Sequence, residues 1–249
     1  MSQRTPGPAE GSRNALMKER VEAAVHSLPV LQGLAREDQS RIARLATLRD
    51  FERGEWIWRA GDASEQLTLI VHGRVKIVRH AEQDDVILEI FGEGEPVGAI
   101  AVYNGFPYPA SAAALEPTTL LCIPRREYFE LLDRHPEVAR AVIRELTRLN
   151  LSLTRKLEES RSQRVDVRIA QLFLTLAERM GRESADGVEV PLELTRHEIA
   201  QLVGTTVETA IRVMSRWGRE GLLLTGEGRF VIPSLERLEE AARGSADAT

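Results

Sequence analysis

The chain has 249 residues, 43% of them hydrophobic and 29% charged, which leaves enough apolar material to bury one large or two smaller cores. The formal net charge of −5 argues against a basic nucleic-acid coat protein, although a local basic patch would suffice for sequence-specific binding. A single cysteine, Cys122, excludes a disulfide framework within one chain and any cysteine-held iron–sulfur cluster or zinc, and a reducing cytoplasm is expected. No apolar run resembles a secretory leader or reaches the ~20 residues needed to span a bilayer, so no membrane role is expected.

Residues 1–14 (MSQRTPGPAEGSRN) are rich in Pro, Gly and polar residues and read as a disordered tail, followed by weakly helical residues 15–27. Leu31, Leu34, Ile42 and Leu45 recur at helical spacing, predicting short helices up to about Leu48. From Phe51 to Arg125 the pattern changes to short apolar runs (WIW, LTLIV, VKIV, VILEIF, TTLLCI) separated by glycines and charges. That pattern predicts an antiparallel barrel or roll, placed in a domain of residues 28–134.

A long helix is expected over about 136–164, opening on Pro136, where a missing N–H costs nothing. Along it Val142, Leu146, Leu149, Leu153 and Leu157 form one apolar stripe on an otherwise charged surface. The plain reading is a helix packed on its own domain. At about 40 Å it exceeds the width of a small domain, and a homodimer seam is the sharper reading.

Residues 165–249 are assigned to a further domain. Its first helix (VDVRIAQLFLTLAERM) turns Val167, Ile169, Leu172, Leu176 and Ala177 inward and ends on Gly181 as a cap. The segment RESADG reads as a loop and VEVPLEL as a strand. The stretch 195–220, TRHEIAQLVGTTVETAIRVMSRWGRE, then carries the function. Thr195 with Glu198 three residues on makes a capping box, Gly204 breaks the first helix, and Thr206 caps a second that starts at Val207. Ile199, Leu202, Val203, Ala210, Ile211 and Met214 would supply the shared core. Two short helices joined by a glycine turn match a helix-turn-helix, whose second helix enters the major groove by its N-terminal end.

That end presents Val207, Glu208, Thr209 and Arg212. Arg212 can pair bidentately with a guanine edge, Glu208 can accept from cytosine N4, and Val207 can meet a thymine methyl. Thr195, Arg196 and Thr206 are placed for phosphate, and so is Arg229 on the hairpin formed by LLLT, the turn Gly226-Glu227-Gly228 and RFVI. The expected partner is double-stranded DNA.

The segments FERGEWIWRAGD, IVHGRVKI, FGEGEPVG, ALEPTTLLCIPRREYFELLDRHPEV and the helix-turn-helix together resemble the CRP/FNR superfamily of transcription regulators, from about Leu28 to Ile232. The resemblance implies an α+β fold with a cyclic-nucleotide-binding-like β-roll, a dimerisation helix and a winged helix-turn-helix. It also implies a homodimer on a palindrome and a contact with RNA polymerase. The string V-E-T-x-x-R (Val207, Glu208, Thr209, Arg212) resembles the FNR branch, since the cAMP receptor protein has an arginine where this chain has Val207. The implied half-site centres on TGA, as TTGA or TTGAT. Ile211 stands where FNR has a base-reading serine, which leaves the outer base open.

By the same resemblance, cyclic-nucleotide binders offer a glutamate to the ribose and an Arg-Ser pair to the phosphate. Here those positions hold Ala99 and Tyr108-Pro109, and the helix hydroxyls that face the base fall on Leu153 and Thr154. No tight cAMP binding is expected, because a buried phosphate would lack its charge partner. The effector pocket is assigned to Gly98, Ala99, Ile100, Tyr108, Pro109, Ala110, Ser111, Leu149 and Leu153. Haem, as used in nitric oxide or carbon monoxide sensing, stays open as the alternative, with His26, His72, His80 and Tyr108 as candidate axial ligands. A further alternative has no effector, abundance alone controlling the protein and the pocket being filled by side chains such as Leu149, Leu153 and Tyr108. Cys122, among apolar neighbours, reads as a buried thiol rather than a redox sensor.

An enzyme is the competing class. A metal site in a β-roll needs clustered histidines, but His26, His72, His80, His135 and His197 are scattered, and His197-Glu198 lacks the second histidine of a zinc pair. No nucleophile elbow or phosphate-binding loop occurs, and FGEGEPVG lacks the βαβ context of a dinucleotide site. No catalytic or metal-binding residue is assigned. The expected mechanism is a population shift: effector occupancy alters the packing of two long helices across the dimer and so the placement of the recognition helices.

Overall fold

The computed structural model describes residues 8–81, 85–159 and 164–244; the side chains of 8–14, 145, 149, 152, 153 and 155–159 lie outside that description. By contact density the chain divides into two compact units, residues 1–80 with 88–151 and residues 81–87 with 152–249.

The first unit opens with three helices, α1 (Pro8–Ser27), α2 (Pro29–Gln32) and α3 (Arg36–Leu45). The reading of residues 1–14 as a disordered tail is corrected from Pro8 onward; residues 1–7 lie outside the described residues. Val21, Ala24 and Val25 of α1 are buried and α1 packs on α3, so helix formation here is driven by tertiary burial rather than by local pattern. Leu31, Leu34 and Ile42 are buried as expected, while Leu45 is exposed.

Eight strands follow around the short helix α4: β1 (Thr47–Phe51), β2 (Trp56–Trp58), β3 (Gln66–His72), β4 (Val75–Arg79), β5 (Val86–Phe91), β6 (Pro96–Val97), α4 (Ala99–Asn104), β7 (Ser111–Ala114) and β8 (Thr118–Pro124). They form two four-stranded sheets in the orders β1-β8-β3-β6 and β2-β7-β4-β5, with β1-β8, β8-β3, β3-β6, β2-β7 and β7-β4 all antiparallel. The centre of the first sheet is buried on both faces. Four consecutive residues of β3, Leu67–Ile70, and four of β8, Leu120–Ile123, are all buried. Helices α1, α3 and α5 (Arg125–Arg134) contact β8. This explains why LTLI and LLCI read as continuous apolar runs rather than as alternating ones. Cys122 is a buried free thiol there, and burial pushes its pKa up. After α5, α6 (Pro136–Glu159) runs on, and the unit boundary at residue 151 falls inside it. Residues 160–163, the end of the expected long helix, lie outside the described residues.

The second unit contains α7 (Val165–Met180), β9 (Arg182–Ser184), β10 (Gly187–Val190), α8 (Arg196–Val203), α9 (Val207–Glu220), β11 (Leu224–Gly226), β12 (Arg229–Ile232) and α10 (Leu235–Ala242). Its sheet has the order β11-β12-β10-β9. Phe173 of α7 and Phe230 of β12 meet edge-on with ring centres 4.8 Å apart, tying helix to sheet. Three sequence expectations are corrected here. RESADG is not a loop: Arg182–Ser184 pairs with β10 across the Ala185-Asp186 turn. On α7, Ala170 and Phe173 are buried where Leu172 and Ala177 are only half-buried. Gly181 caps α7 as expected, its N–H donating to the Ala177 carbonyl, with extended backbone at φ −64°. It is required because a Cβ would stand 2.4 Å from the Ala177 carbonyl oxygen and 2.8 Å from Val188 Cγ1. Ile211 is 45% exposed and belongs to the surface, its expected core place being taken by Val213 and Trp217.

Candidate nucleic-acid interface and effector cavity

The helix pair α8–α9 is fixed at each end by side-chain caps. Thr195 Oγ1 accepts from the Glu198 N–H at 3.1 Å, and Glu198 Oε2 accepts from the Thr195 N–H at 2.9 Å, so the capping box is complete. Gly204 closes α8 at φ +64°, a left-handed conformation open to glycine at little cost, and Arg168 Nη2 donates to its carbonyl at 3.4 Å. Thr206 Oγ1 then accepts from the Thr209 N–H at 3.3 Å and starts α9. Thr195→Ala should therefore lower stability by about 1 kcal/mol, and Thr195→Ser should retain it. Thermal unfolding of the two variants checks this, and equal melting temperatures would remove the cap's energetic role.

These caps turn one end of α9 outward. Glu208 and Arg212 are exposed one helical turn apart, and neither makes a hydrogen bond or ion pair among the described residues. Val207 and Thr209 are half-buried between them, and Ile211 is exposed beside Arg212. Arg216, one turn further on, is engaged instead: its Nη2 lies 3.2 Å from Asp166 Oδ2, which also receives Arg164 at 2.9 Å. Thr195 is exposed, and Arg196 reaches the wing, donating from Nη2 to Thr225 Oγ1 at 3.0 Å, with burial lowering its guanidinium pKa. In the wing, Gly226 pairs with Arg229 across a two-residue turn. Arg229 is exposed, with Nη1 3.5 Å from Glu189 Oε2. The arrangement puts two uncommitted charged side chains of opposite sign on the protruding helix and two loosely held arginines beside it.

In the first unit, a cavity of about 140 Å³ is lined by Trp58, Ile77, Phe91, Pro96, Gly98, Ala99, Ile100, Ala101, Tyr108, Pro109, Ala110, Val142 and Leu146. It gathers Gly98, Ala99, Ile100, Tyr108, Pro109 and Ala110 from the expected pocket. Ser111 is not in the lining: its Oγ accepts from the Ala60 N–H at 3.0 Å and lies 3.3 Å from His80 Nε2. The side chains of Leu149 and Leu153 lie outside the described residues, and α6 contributes Val142 and Leu146 instead. Trp58 and Phe91 went unassigned in the sequence, although WIW and IF are the aromatic ends of its apolar runs.

The Trp58 and Tyr108 rings stack with centres 4.1 Å apart and planes 13° apart. A Cβ on Gly98 would come within 2.6 Å of Tyr108 and 3.2 Å of Trp58, and its φ is +73°, so the stack depends on this glycine twice over. The Trp58 indole N–H donates to the Ala110 carbonyl at 3.1 Å, and the Tyr108 hydroxyl donates to the Gln66 carbonyl at 3.4 Å. Burial pushes the Tyr108 pKa up to about 12, so the phenol is neutral near pH 7.

The histidines lie elsewhere. His26 is exposed on α1 with Nδ1 2.6 Å from the Glu22 carbonyl oxygen, His72 pairs with Glu93 at 2.7 Å on the surface, and His80 sits by Ser111 and Trp56. None lines the cavity, and Tyr108 is committed to its stack and carbonyl, so these residues do not assemble a haem-ligand set there. Among the described residues no group of three or more His, Cys, Asp or Glu could hold a metal ion, and no helix is long and apolar enough to cross a membrane.

On α6, Val142 packs against the protomer's own core. Ile143, Leu146 and Leu151 are 61%, 36% and 53% exposed, and Ile100 and Tyr103 of α4 lie open as well. Helices α4, α5 and α6 enclose a second, larger cavity that shares Ala99, Ile100, Val142 and Leu146 with the first.

Comparison with known proteins gives two family matches: a cyclic nucleotide-binding domain over residues 48–135 and a Crp-like helix-turn-helix domain over residues 167–241. The chain is 31% identical to the cyclic AMP receptor protein of Thermus thermophilus over 88% of this chain and 98% of that one. It is 28% identical to a CRP-like cAMP-activated global transcriptional regulator of Mycobacterium tuberculosis, over 78% of this chain and 87% of that one. Among solved structures, a CooA variant from Carboxydothermus hydrogenoformans superposes with a TM-score of 0.71 at 18% identity, covering 87% of this chain and 95% of that one, a likeness of fold.

Proposed function

The chain belongs to the CRP/FNR family of DNA-binding transcription regulators, and on that premise we propose that it acts in the cytoplasm as a homodimer on palindromic TTGA-like sites, under an effector held in the β-roll. The observation that carries the reading is the outward end of α9, where Glu208 and Arg212 stand exposed and unengaged beside two capped helix starts. Val207, Glu208, Thr209 and Arg212 address the bases. Thr195, Arg196, Thr206 and Arg229 face phosphate, two of them as helix N-caps whose N–H groups favour anions.

The effector is not cAMP in this reading, although two relatives are named for it. Among the described residues the cavity wall carries no charged side chain, and Tyr108 stands where the resemblance puts the phosphate-binding arginine. The protein is a regulator and not an enzyme, and its contact with RNA polymerase follows from the family alone. Dimerisation runs along α6, with Ile143, Leu146 and Leu151 of its exposed face at the seam and Leu149, Leu153 and Leu157 continuing the stripe in sequence.

Fluorescence anisotropy tests the reading, with a duplex bearing two inverted TTGA half-sites about 34 Å apart and a scrambled control. Preference for the palindrome, together with a steep fall in affinity as salt rises, is expected. Equal affinity for both duplexes would remove the sequence-specific assignment.

A further inference from the structure

We propose that the β-roll cavity is a receptor site for a small, neutral, single-ring aromatic molecule. The inference rests on the reading above that this cavity is the effector site, and it names the chemistry the cavity accepts. Every lining side chain is apolar except Trp58 and Tyr108, and the polar atoms of both are already spent on backbone carbonyls. Among the described residues a ligand entering here finds no charged group and no uncommitted side-chain donor. A phosphate or carboxylate would give up its water without a partner, which is costly. A neutral hydrocarbon gives up nothing and gains contact with the aromatic walls of Trp58, Phe91 and Tyr108.

The size fits the same class. A cavity of about 140 Å³ is close to the roughly 150 Å³ at which a dry, apolar cavity in another protein accepts benzene. The space exists because Ala99, Ala101 and Ala110 are small and the Trp58–Tyr108 stack is drawn back over Gly98. A bound ring would also press on Val142 and Leu146, which place α6 in the cavity wall, so occupancy is coupled by direct contact to the helix proposed as the dimer seam.

Toluene is the probe, added to the full-length protein. The melting temperature should rise by a few degrees in toluene, and stay unchanged in benzoate, the same ring carrying a carboxylate, and in cAMP. Nuclear Overhauser contacts from the toluene ring should reach the methyl groups of Ile77, which lines only this cavity, and not those of Ile143, which lines only the larger one. Ala110→Leu should fill the space and abolish the shift; should that variant fail to fold, the contacts in the unmodified protein decide. No toluene response, contacts confined to Ile143, or a response to benzoate or cAMP as large as that to toluene would overturn the proposal. Duplex binding measured on the same preparation separates the two readings. Retained TTGA preference with no toluene response overturns this inference alone, and lost TTGA preference overturns the regulator reading itself.

Discussion

Arg212→Ala should weaken binding to a TTGA-bearing duplex by about 1–3 kcal/mol, roughly fivefold to 150-fold, and relax the choice at one base position. The loss is large because the guanidinium is wholly available. Glu208 lies four residues before it on the same face, a spacing at which an ion pair is often made, yet neither side chain is engaged among the described residues. Nothing inside the protomer is disturbed when Arg212 is shortened, so the melting temperature should hold. Arg216→Ala provides the contrast. That side chain is tied to half-buried Asp166 at 3.2 Å, so its removal should register in stability as well as in affinity. Competition binding against duplexes altered one base at a time distinguishes the roles. An equal loss on every sequence, with the salt slope reduced by about one, would make Arg212 a phosphate contact instead.

The helix-turn-helix was legible because local chemistry and fold agree there. Thr195, Glu198, Gly204 and Thr206 each do locally what their residue types favour, and the capped helices begin at Arg196 and Val207. The longer apolar runs of the β-roll were legible for the same reason. What escaped the sequence was set by tertiary context. Ser111–Ala114 is a strand of one serine and three alanines, types with little strand preference, all buried between β2 and β4. The strand Arg182–Ser184 is fully exposed and carries no alternation to detect. Helix α10 had a readable signal, Ser234 capping Arg237 with Leu238 and Ala241 buried against α7, but it is short and acidic. At the cavity, the segments 98–100 and 108–110 could be placed from the resemblance. The Trp58–Tyr108 stack could not, because it joins residues fifty positions apart through the absent Cβ of Gly98.

The cavity also bears on how one fold serves different signals. Relatives named for cAMP share the fold, while here the position matched to a phosphate-binding arginine is an uncharged phenol stacked on an indole. An arginine on this site would need its charge answered by a ligand anion. A tyrosine whose pKa is raised to about 12 needs nothing, and its side-chain polar group is already satisfied. The scaffold that positions the wall is unaffected by the exchange, since Gly98 and Gly105 still bracket α4 with left-handed backbone on both sides. On the proposed reading, ligand chemistry would change at two or three cavity positions without altering the helix that carries the consequence.

Ile143→Glu should convert the protein to a monomer and reduce affinity for the palindromic duplex by about two to four orders of magnitude, the span that linked binding sites gain over single ones. Ile143 is 61% exposed in the protomer, so a carboxylate there costs little in folding, and any large effect must come from outside the protomer. A helix of 24 residues, about 36 Å at ~1.5 Å each, that leaves Ile143, Leu146 and Leu151 open to water has apolar surface in need of a cover. In the proposed dimer a second α6 would supply it, with the same residues facing one another across a two-fold axis. Two glutamates brought to that seam would be buried, unpaired and of like charge. Sedimentation equilibrium reads the oligomeric state and anisotropy the affinity, with Ile143→Leu as the control that keeps both. A variant that stays dimeric and still prefers the palindrome would place the seam elsewhere, and would leave the exposed face of α6 and α4 to a different partner.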